Sequence, residues 1–590
     1  MAWQVMPAYE EYERAREEFE WALPEQYNPA VDFLRKHDDP DRIALRYDPS
    51  DGDGEAYSFR DLDERSDRLA AALASLGVGE GDRVGVVVPQ KPENPLTHLA
   101  NWKLGAISVP LTVLFGPDAL QYRLADSGAV AVVVDPAVRD AVDSVRGACP
   151  ALEHVVELGA SDAVAGDALA FDELLAAHRP GIAVHESTPS TPTAIMYTSG
   201  STGPPKGVRH SHALWLGRAA ASYNFFDRGL DDAILWTPAD WAWGAALGGT
   251  LFAAWHHGCT VVGWPRDGFD PERAFDLLDR HGVTKALMPP TALRMLMRVE
   301  DPASRYDLAI ETFASVGEPL TPEVVEWVDE TFDAVSINDF YGQTELNLVV
   351  GNSAGWYDVR AGSMGKPFPG YEIAVLDPET RARLPPGEVG ELAVKPGDRR
   401  VFFDEYWGLP EKTAAKRLDE IPAVDDGESS DDADADSAAD TDAISADDTE
   451  SADDADADGP WFLTDDLVRL DADGYLWFVS RTDDVILTSG YRVGPMEVEE
   501  VILQHEAVEQ VGVIGVPDDT RGEAIKAFVQ PAGTEYDAEV VREEIRQLVR
   551  ERLAAYEYPR YVAFVDELPT TSTGKIRRLA LREHERGSDA

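Results

Sequence analysis

"TSGSTGPPKG", residues 198–207, places three glycines, four hydroxylated side chains, two prolines and one lysine in ten positions. A Walker A loop needs a lysine directly after its last glycine, then Ser or Thr, so that backbone N–H groups surround the phosphates and the hydroxyl reaches magnesium. Here Pro204 and Pro205 separate Gly203 from Lys206, and Gly207 follows, so this is not that motif. The materials for holding polyphosphate remain. "AIMYT" reads as a strand that delivers the loop, and Gly200 and Gly203 allow close backbone approach. Thr198, Ser199, Ser201 and Thr202 offer hydrogen bonds, and Lys206 brings charge. Composition alone is equally consistent with a flexible connection between a strand and a helix.

Outward from this loop, roughly residues 40 to 290 alternate short β-branched runs ("RVGVVVPQ", "AVAVVVDP", "GCTVVGWP") with helix-like segments such as "PENPLTHLANWKLGA". That alternation predicts an α/β fold of two βαβ-type subdomains around mostly parallel sheets. Residues 366–400, with "YEIAVLDPETRARLPPGEVGELAVKP", predict a small antiparallel, barrel-like subdomain. From 496 the order is helix, strand, strand, helix, strand, a complete small α/β domain. The expected division is a large domain over 1–481 and a small, mobile one over 482–590, joined within "RTDDVILTSGYRVGP". Residues 425–459 carry no basic and almost no large apolar side chain, which predicts a disordered acidic insertion over about 420–459.

At 590 residues the chain exceeds what one core supports, and its 44% hydrophobic content is enough to fill several. It has no 18-residue apolar run, and its N-terminus "MAWQVMPAYEEYERAREEFE" is acidic where a signal peptide would be basic and then apolar. A soluble, cytoplasmic protein is expected. Cys149 and Cys259 lie far apart and lack metal-type spacing. With 109 acidic against 52 basic residues the formal charge is −57, which repels nucleic acid and anionic membranes and strains the compact state unless salt screens it. Acids spread over the whole length, with lysine scarce beside arginine, suggest a halophile.

"YTSGSTGPPKG", "DFYGQTE" (339–345), "LTDD" (463–466), "SRTDDVILTSGYRVGPMEVE" (480–499) and "PTTSTGK" (569–575), in that order, resemble the motifs of the adenylate-forming superfamily, which holds acyl-CoA synthetases, luciferases and peptide-synthetase adenylation domains. The resemblance implies that residues 198–206 wrap the β and γ phosphates of ATP. It places Thr344 at the α-phosphate, Glu345 and Thr202 at Mg2+, and Asp339, Tyr341, Gly342 and Gln343 around the nucleotide. Asp466 would accept the ribose hydroxyls, Arg481 would add a second contact, and Lys575 would bridge the substrate carboxylate and the α-phosphate. The sequence departs from the family pattern before Asp466, where glycine is usual and Asp465 stands here. The small domain would close about a hinge at Asp483, then swing to form a thioester. Ser489, Gly490, Tyr491 and Arg492 would line the entry for coenzyme A, and Arg521 would meet a CoA phosphate or serve in an ordinary surface ion pair. His210 and His212 are expected to be structural.

"ILWTPADWAWGAALGG" holds Trp236, Trp241 and Trp243, and with Gly317 and Gly342 it is expected to border the acid pocket. Acetyl-CoA synthetases carry tryptophan at the position of Gly342, so glycine is expected to open the pocket to a longer acyl or aryl group. No cation is evident in these segments for a second carboxylate. "EYWGLPEKTAAK" and "AAYEYPRYVAFVDELPTTSTGK" look most like the medium-chain fatty acyl-CoA synthetases, beside the acetyl-CoA synthetase-like branch. The implied reaction converts a carboxylic acid, ATP and CoA to acyl-CoA, AMP and diphosphate. The alternatives are acetate or propionate, an aromatic acid such as benzoate, a carrier protein as acceptor, and a non-catalytic nucleotide sensor.

Overall fold

The computed structural model describes residues 3–49, 54–160, 166, 168–198, 204–265, 268–317, 320–422, 459–488, 491–518, 522–533, 536–553, 557–570 and 575–588. The acidic insertion lies outside them, apart from its flanks. The valine-rich runs form strands buried on both faces, as parallel strands covered by helices must be. Arg83–Val87, Ile107–Pro110, Ala131–Val134 and His154–Glu157 pair in parallel within an eight-stranded sheet. Ile234–Trp236, Thr260–Gly263, Lys285–Leu287, Thr312–Ser315 and Ser336–Gly342 form the parallel part of a nine-stranded sheet.

The helix Phe59–Ser75 packs on the strands Ile43–Tyr47 and Glu55–Ser58 and on the helix Glu93–Lys103, and starts with a capping box in which Ser58 and Asp61 satisfy each other's backbone N–H groups. Lys103, fully buried, donates to Asp63 and Asp67 of that helix at 2.7 and 2.6 Å, so its charge is compensated where it is desolvated.

A third sheet of five strands joins Tyr371–Leu376 and Val389–Pro396 to Trp461–Leu470, Arg417–Leu418 and Leu476–Arg481. The β-rich region thus reaches beyond residue 400 and closes across the acidic insertion. A turn at 482–484 follows, anchored by Thr482 N–H on the Asp465 carbonyl at 2.8 Å. The fourth sheet begins at Ile486–Thr488 and contains Val508–Asp518, Gly522–Pro531 and Tyr561–Phe564, with the helices Pro495–Ile502 and Ala538–Arg552 in the order read from the sequence. It has its own core, including Val513, Ile525 and Ile545.

One local reading changes. The loop at 199–203 does not lead into a helix: Pro192–Thr198 and Lys206–Ser211 are antiparallel partners, and Thr198 faces Lys206 in register. The next helix, Ala213–Phe225, starts only after the second strand. Both cysteines are buried and free. Among the described residues no helix is long and apolar enough to cross a membrane.

Candidate functional site

Strands of the nine-stranded and five-stranded sheets meet at Asp466. This carboxylate, only 4% exposed, accepts from the Tyr341 hydroxyl at 2.5 Å and from Gln343 Nε2 at 2.7 Å. Gln343 also donates to the Thr464 carbonyl at 2.7 Å, which ties the strand Ser336–Gly342 to the strand Trp461–Leu470. Burial raises the Asp466 carboxyl above its ordinary range, and Arg481, Tyr341, Gln343 and Lys575 only partly offset it. Arg481 Nε lies 4.0 Å from Asp466 and 3.2 Å from Asp483. Burial alone would lower this guanidinium, but Asp466, Asp483 and Asp465 outweigh it and raise its pKa.

Asp465 turns the other way. Its φ of +59° lies in the left-handed region where glycine is at ease, and its side chain pairs with Lys416. The departure from the glycine pattern therefore costs backbone strain and leaves Asp466 as the buried acceptor.

Lys206 stands over the Tyr406 ring, 4.4 Å from its centroid, and the Tyr406 hydroxyl donates to Glu345 Oε1 at 2.7 Å. Burial lowers the pKa of Lys206, while nearby Glu345 raises it. The strand Phe403–Tyr406 pairs with Lys206–Ser211, and the Glu345 carbonyl accepts Phe403 N–H at 2.9 Å. The phosphate-loop lysine and the magnesium candidate are thus held by one tyrosine that the sequence reading missed. Tyr406 lies in "EYWGLPEKTAAK", a stretch read only as a mark of lineage. Thr344 is half-exposed beside them.

Lys575 comes from the far end of the chain. Its Cε lies 3.8 Å from where a Cβ on Gly317 would stand, and the Trp243 ring lies 3.6 Å from the same point. Gly317 has φ +106°, a conformation other residues rarely adopt, and the absent side chain leaves the gap between lysine and indole. Asp339, buried on the neighbouring strand, accepts from the Phe340 and Leu320 backbones and so braces this loop. Burial raises its pKa well above the usual carboxylate range.

The aromatic segment divides. Trp236 and Trp241 are fully buried, the latter against Gly263, whereas Trp243 is half-exposed and faces Gly317. A Cβ on Gly342 would stand 2.4 Å from the Asn347 carbonyl oxygen and 2.9 Å from Leu348 Cα. Glycine is required there by the close return of the chain, and a tryptophan would need this turn rebuilt. Outside the segments read for a cation, Arg218 Nη2 ends 3.8 Å from where a Cβ on half-exposed Gly244 would stand.

His212 Nδ1 lies 3.2 Å from the Tyr27 carbonyl, and His210 lies against the Thr344 backbone. Both are fully buried, with pKa values driven down to about 3 chiefly by burial. Ser199, Gly200, Ser201, Thr202, Gly203, Ser489, Gly490 and Arg521 lie outside the described residues. Tyr491 and Arg492 lie on the strand Tyr491–Val493, and their side chains also lie outside them.

The arrangement joins a carboxylate suited to a diol, a lysine suited to a polyphosphate and a second lysine beside a half-open aromatic cleft. Comparison with known proteins agrees with this chemistry. The family model "AMP-binding enzyme" matches residues 34–406, and "AMP-binding enzyme C-terminal domain" matches 497–575. The chain is 31% identical to the mitochondrial acyl-coenzyme A synthetase ACSM3 of Mus musculus, over 98% of this chain and 94% of the relative. It is 33% identical to the acetyl-coenzyme A synthetase of Bacillus subtilis, over 97% and 95%. Among solved structures it is similar to the anthranilate CoA ligase AuaEII in complex with anthranoyl-AMP (TM-score 0.80, 27% identity, 96% of this chain and 99% of that one). It is also similar to a benzoate CoA ligase from Burkholderia xenovorans LB400 (TM-score 0.77, 27% identity, 94% and 100%).

Proposed function

The chain belongs to the AMP-binding enzymes, with acyl-CoA synthetase homologues that are acid–thiol ligases, and from that premise we propose that it activates a medium-chain carboxylic acid with ATP and passes the acyl group to coenzyme A. The observation that carries this reading is the position of Lys575, beside Gly317 and within electrostatic reach of Asp466. Those three residues lie on parts of the chain that only the fold unites.

In the first half-reaction Asp466 accepts the two ribose hydroxyls, with Tyr341 and Gln343 fixing its orientation. Lys206 and the loop before it hold the phosphates. Lys575 lies between the acid's carboxylate and the α-phosphate, offsets their repulsion and stabilises the charge that develops as the carboxylate oxygen attacks phosphorus and diphosphate leaves. Glu345 is the described carboxylate placed to hold Mg2+. That ion would neutralise phosphate charge.

In the second half-reaction the small domain, from 482 onward, rotates about Asp483 and brings the strand Tyr491–Val493 to the entry for CoA. The CoA thiol, losing its proton, attacks the acyl carbonyl, the thioester bond forms and AMP leaves.

Lys575→Ala is expected to slow adenylation on the order of 10²–10³-fold, as loss of a charge-stabilising donor does, while thioester formation from supplied acyl adenylate persists. Equal loss in both half-reactions overturns the assignment. An acid panel from acetate to long chains, with benzoate, read by CoA-dependent AMP formation, tests the chain length.

A further inference from the structure

Among the described residues five lysine and arginine side chains are deeply buried: Lys103, Arg123, Arg139, Arg218 and Lys285. Lys103, Arg139 and Lys285 each have a carboxylate partner. Arg123 lies over the Phe115 and Tyr197 rings and donates to the Ala119 carbonyl. Arg218 differs. It is 3% exposed, and among the described residues its Nε has no acceptor and no carboxylate acts on it. The group that favours its charge is the Tyr371 hydroxyl, which is itself buried without a partner. In a chain with 109 acids and 52 bases, an uncompensated buried cation is not for lack of carboxylates.

Its position connects it to the acid cleft. Arg218 sits on the helix Ala213–Phe225, and its stem crosses Gly248, where an added Cβ would meet Cγ at 2.9 Å. Its Nη2 reaches the backbone at Gly244, where Met196 Sδ also converges, and the next residue back is Trp243, whose ring faces Gly317 and Lys575. Lys575 and Arg218 thus approach two adjacent residues of one segment, Lys575 on the Trp243 side through Gly317 and Arg218 at Gly244. His210, fully buried within electrostatic reach of Arg218, stays neutral against the Thr344 backbone and so adds no charge that would compensate it.

We propose that Arg218 is a subsite for a carboxylate at the far end of the acyl tail. The substrates would be medium-length dicarboxylic acids, adenylated at the end beside Lys575 and released as half-thioesters. This rests on the ligase reading above and narrows its substrate class.

The test compares kcat/KM for AMP formation with hexanoate against hexanedioate, and octanoate against octanedioate, in wild type, Arg218→Met and Arg218→Lys. Wild type is expected to favour the diacid by about tenfold or more. Arg218→Met is expected to lower diacid turnover about 100-fold and the monoacid far less, inverting the preference, since losing one partner of a buried charge pair is severe. Arg218→Lys keeps the charge and should hold part of the diacid preference. Wild type that handles the monoacid as well as the diacid overturns the proposal, as does a methionine variant that loses both equally. A second readout needs no catalysis: hexanedioate alone should raise the melting temperature of wild type and leave Arg218→Met unmoved. No shift in wild type sinks the subsite. Absence of diphosphate release with every acid would instead overturn the ligase reading, and the melting shift would then decide the subsite by itself.

Discussion

Two adjacent aspartates show how much a single residue's environment decides. Asp465 and Asp466 are neighbours on one strand, where successive side chains point to opposite faces. Asp466 is buried under Tyr341 and Gln343, and Asp465 pairs with Lys416 with a side chain 43% exposed. Asp466→Asn is expected to weaken ATP binding by about tenfold or more, because hydrogen bonds to a charged group are worth roughly 1.5–3 kcal/mol. Asp465→Gly is expected to keep turnover and to gain some stability. Release of left-handed strain is worth about 1–2 kcal/mol, against roughly 0–1 kcal/mol for a partly exposed ion pair. Isothermal binding and urea unfolding of the two variants check both. The departure from the glycine pattern was legible in the sequence. The resemblance also pointed to Asp466, but its burial under Tyr341 and Gln343, with Asp465 turned to Lys416, was not legible, because it depends on segments distant in the chain.

At the scale of elements, strands and helices followed from apolar period and β-branched runs, and the order of the small domain was read correctly. The partner of the strand Pro192–Thr198 was not, because "KGVRHS" is short and its pairing with residues 192–198 and 403–406 is long-range. The segment Ala245–Phe252 forms a π-helix, and an apolar run buried all round shows no period from which to read it.

The helix Glu93–Lys103 carries a testable consequence of such burial. His98 is fully desolvated against Trp102, with ring centroids 5.8 Å apart, and neither nitrogen has a partner. Burial holds its pKa down to about 3. Between there and the unfolded value near 6.5 the unfolded chain takes up a proton that the native one refuses. The neutral ring's contribution is therefore present above pH 6.5 and is lost as pH falls, by ~1.4 kcal/mol per pH unit. His98→Phe is expected to flatten the loss of stability between about pH 6.5 and 5 by that amount, read from urea midpoints at each pH.

Across the whole molecule, the formal charge of −57 bears on stability before it bears on chemistry. Repulsion among surface carboxylates is long-range at low salt, where the screening length is about 10 Å, and short at molar salt, near 3 Å. We propose that this protein works in a salty interior, and its melting temperature is expected to climb as KCl rises from about 0.1 to 2 M. An unchanged or falling melting temperature contradicts that. Deleting residues 425–459 is expected to leave turnover intact in molar salt and to lower the salt needed for stability. A large loss of rate would assign the insertion a role in the reaction.

By itself the sequence determined the α/β class, the order of the elements, the family and most of the residue types its chemistry needs, because periodicity, turn chemistry and local motifs are properties of short stretches. Only the tertiary structure decided that Lys575 stands beside Gly317, that Tyr406 unites Lys206 with Glu345, that Gly342 is held by a close chain return, and that buried Arg218 ends beside Gly244. Each of these depends on which distant segments are brought within a few ångströms, and burial and pairing of charge exist only once they are.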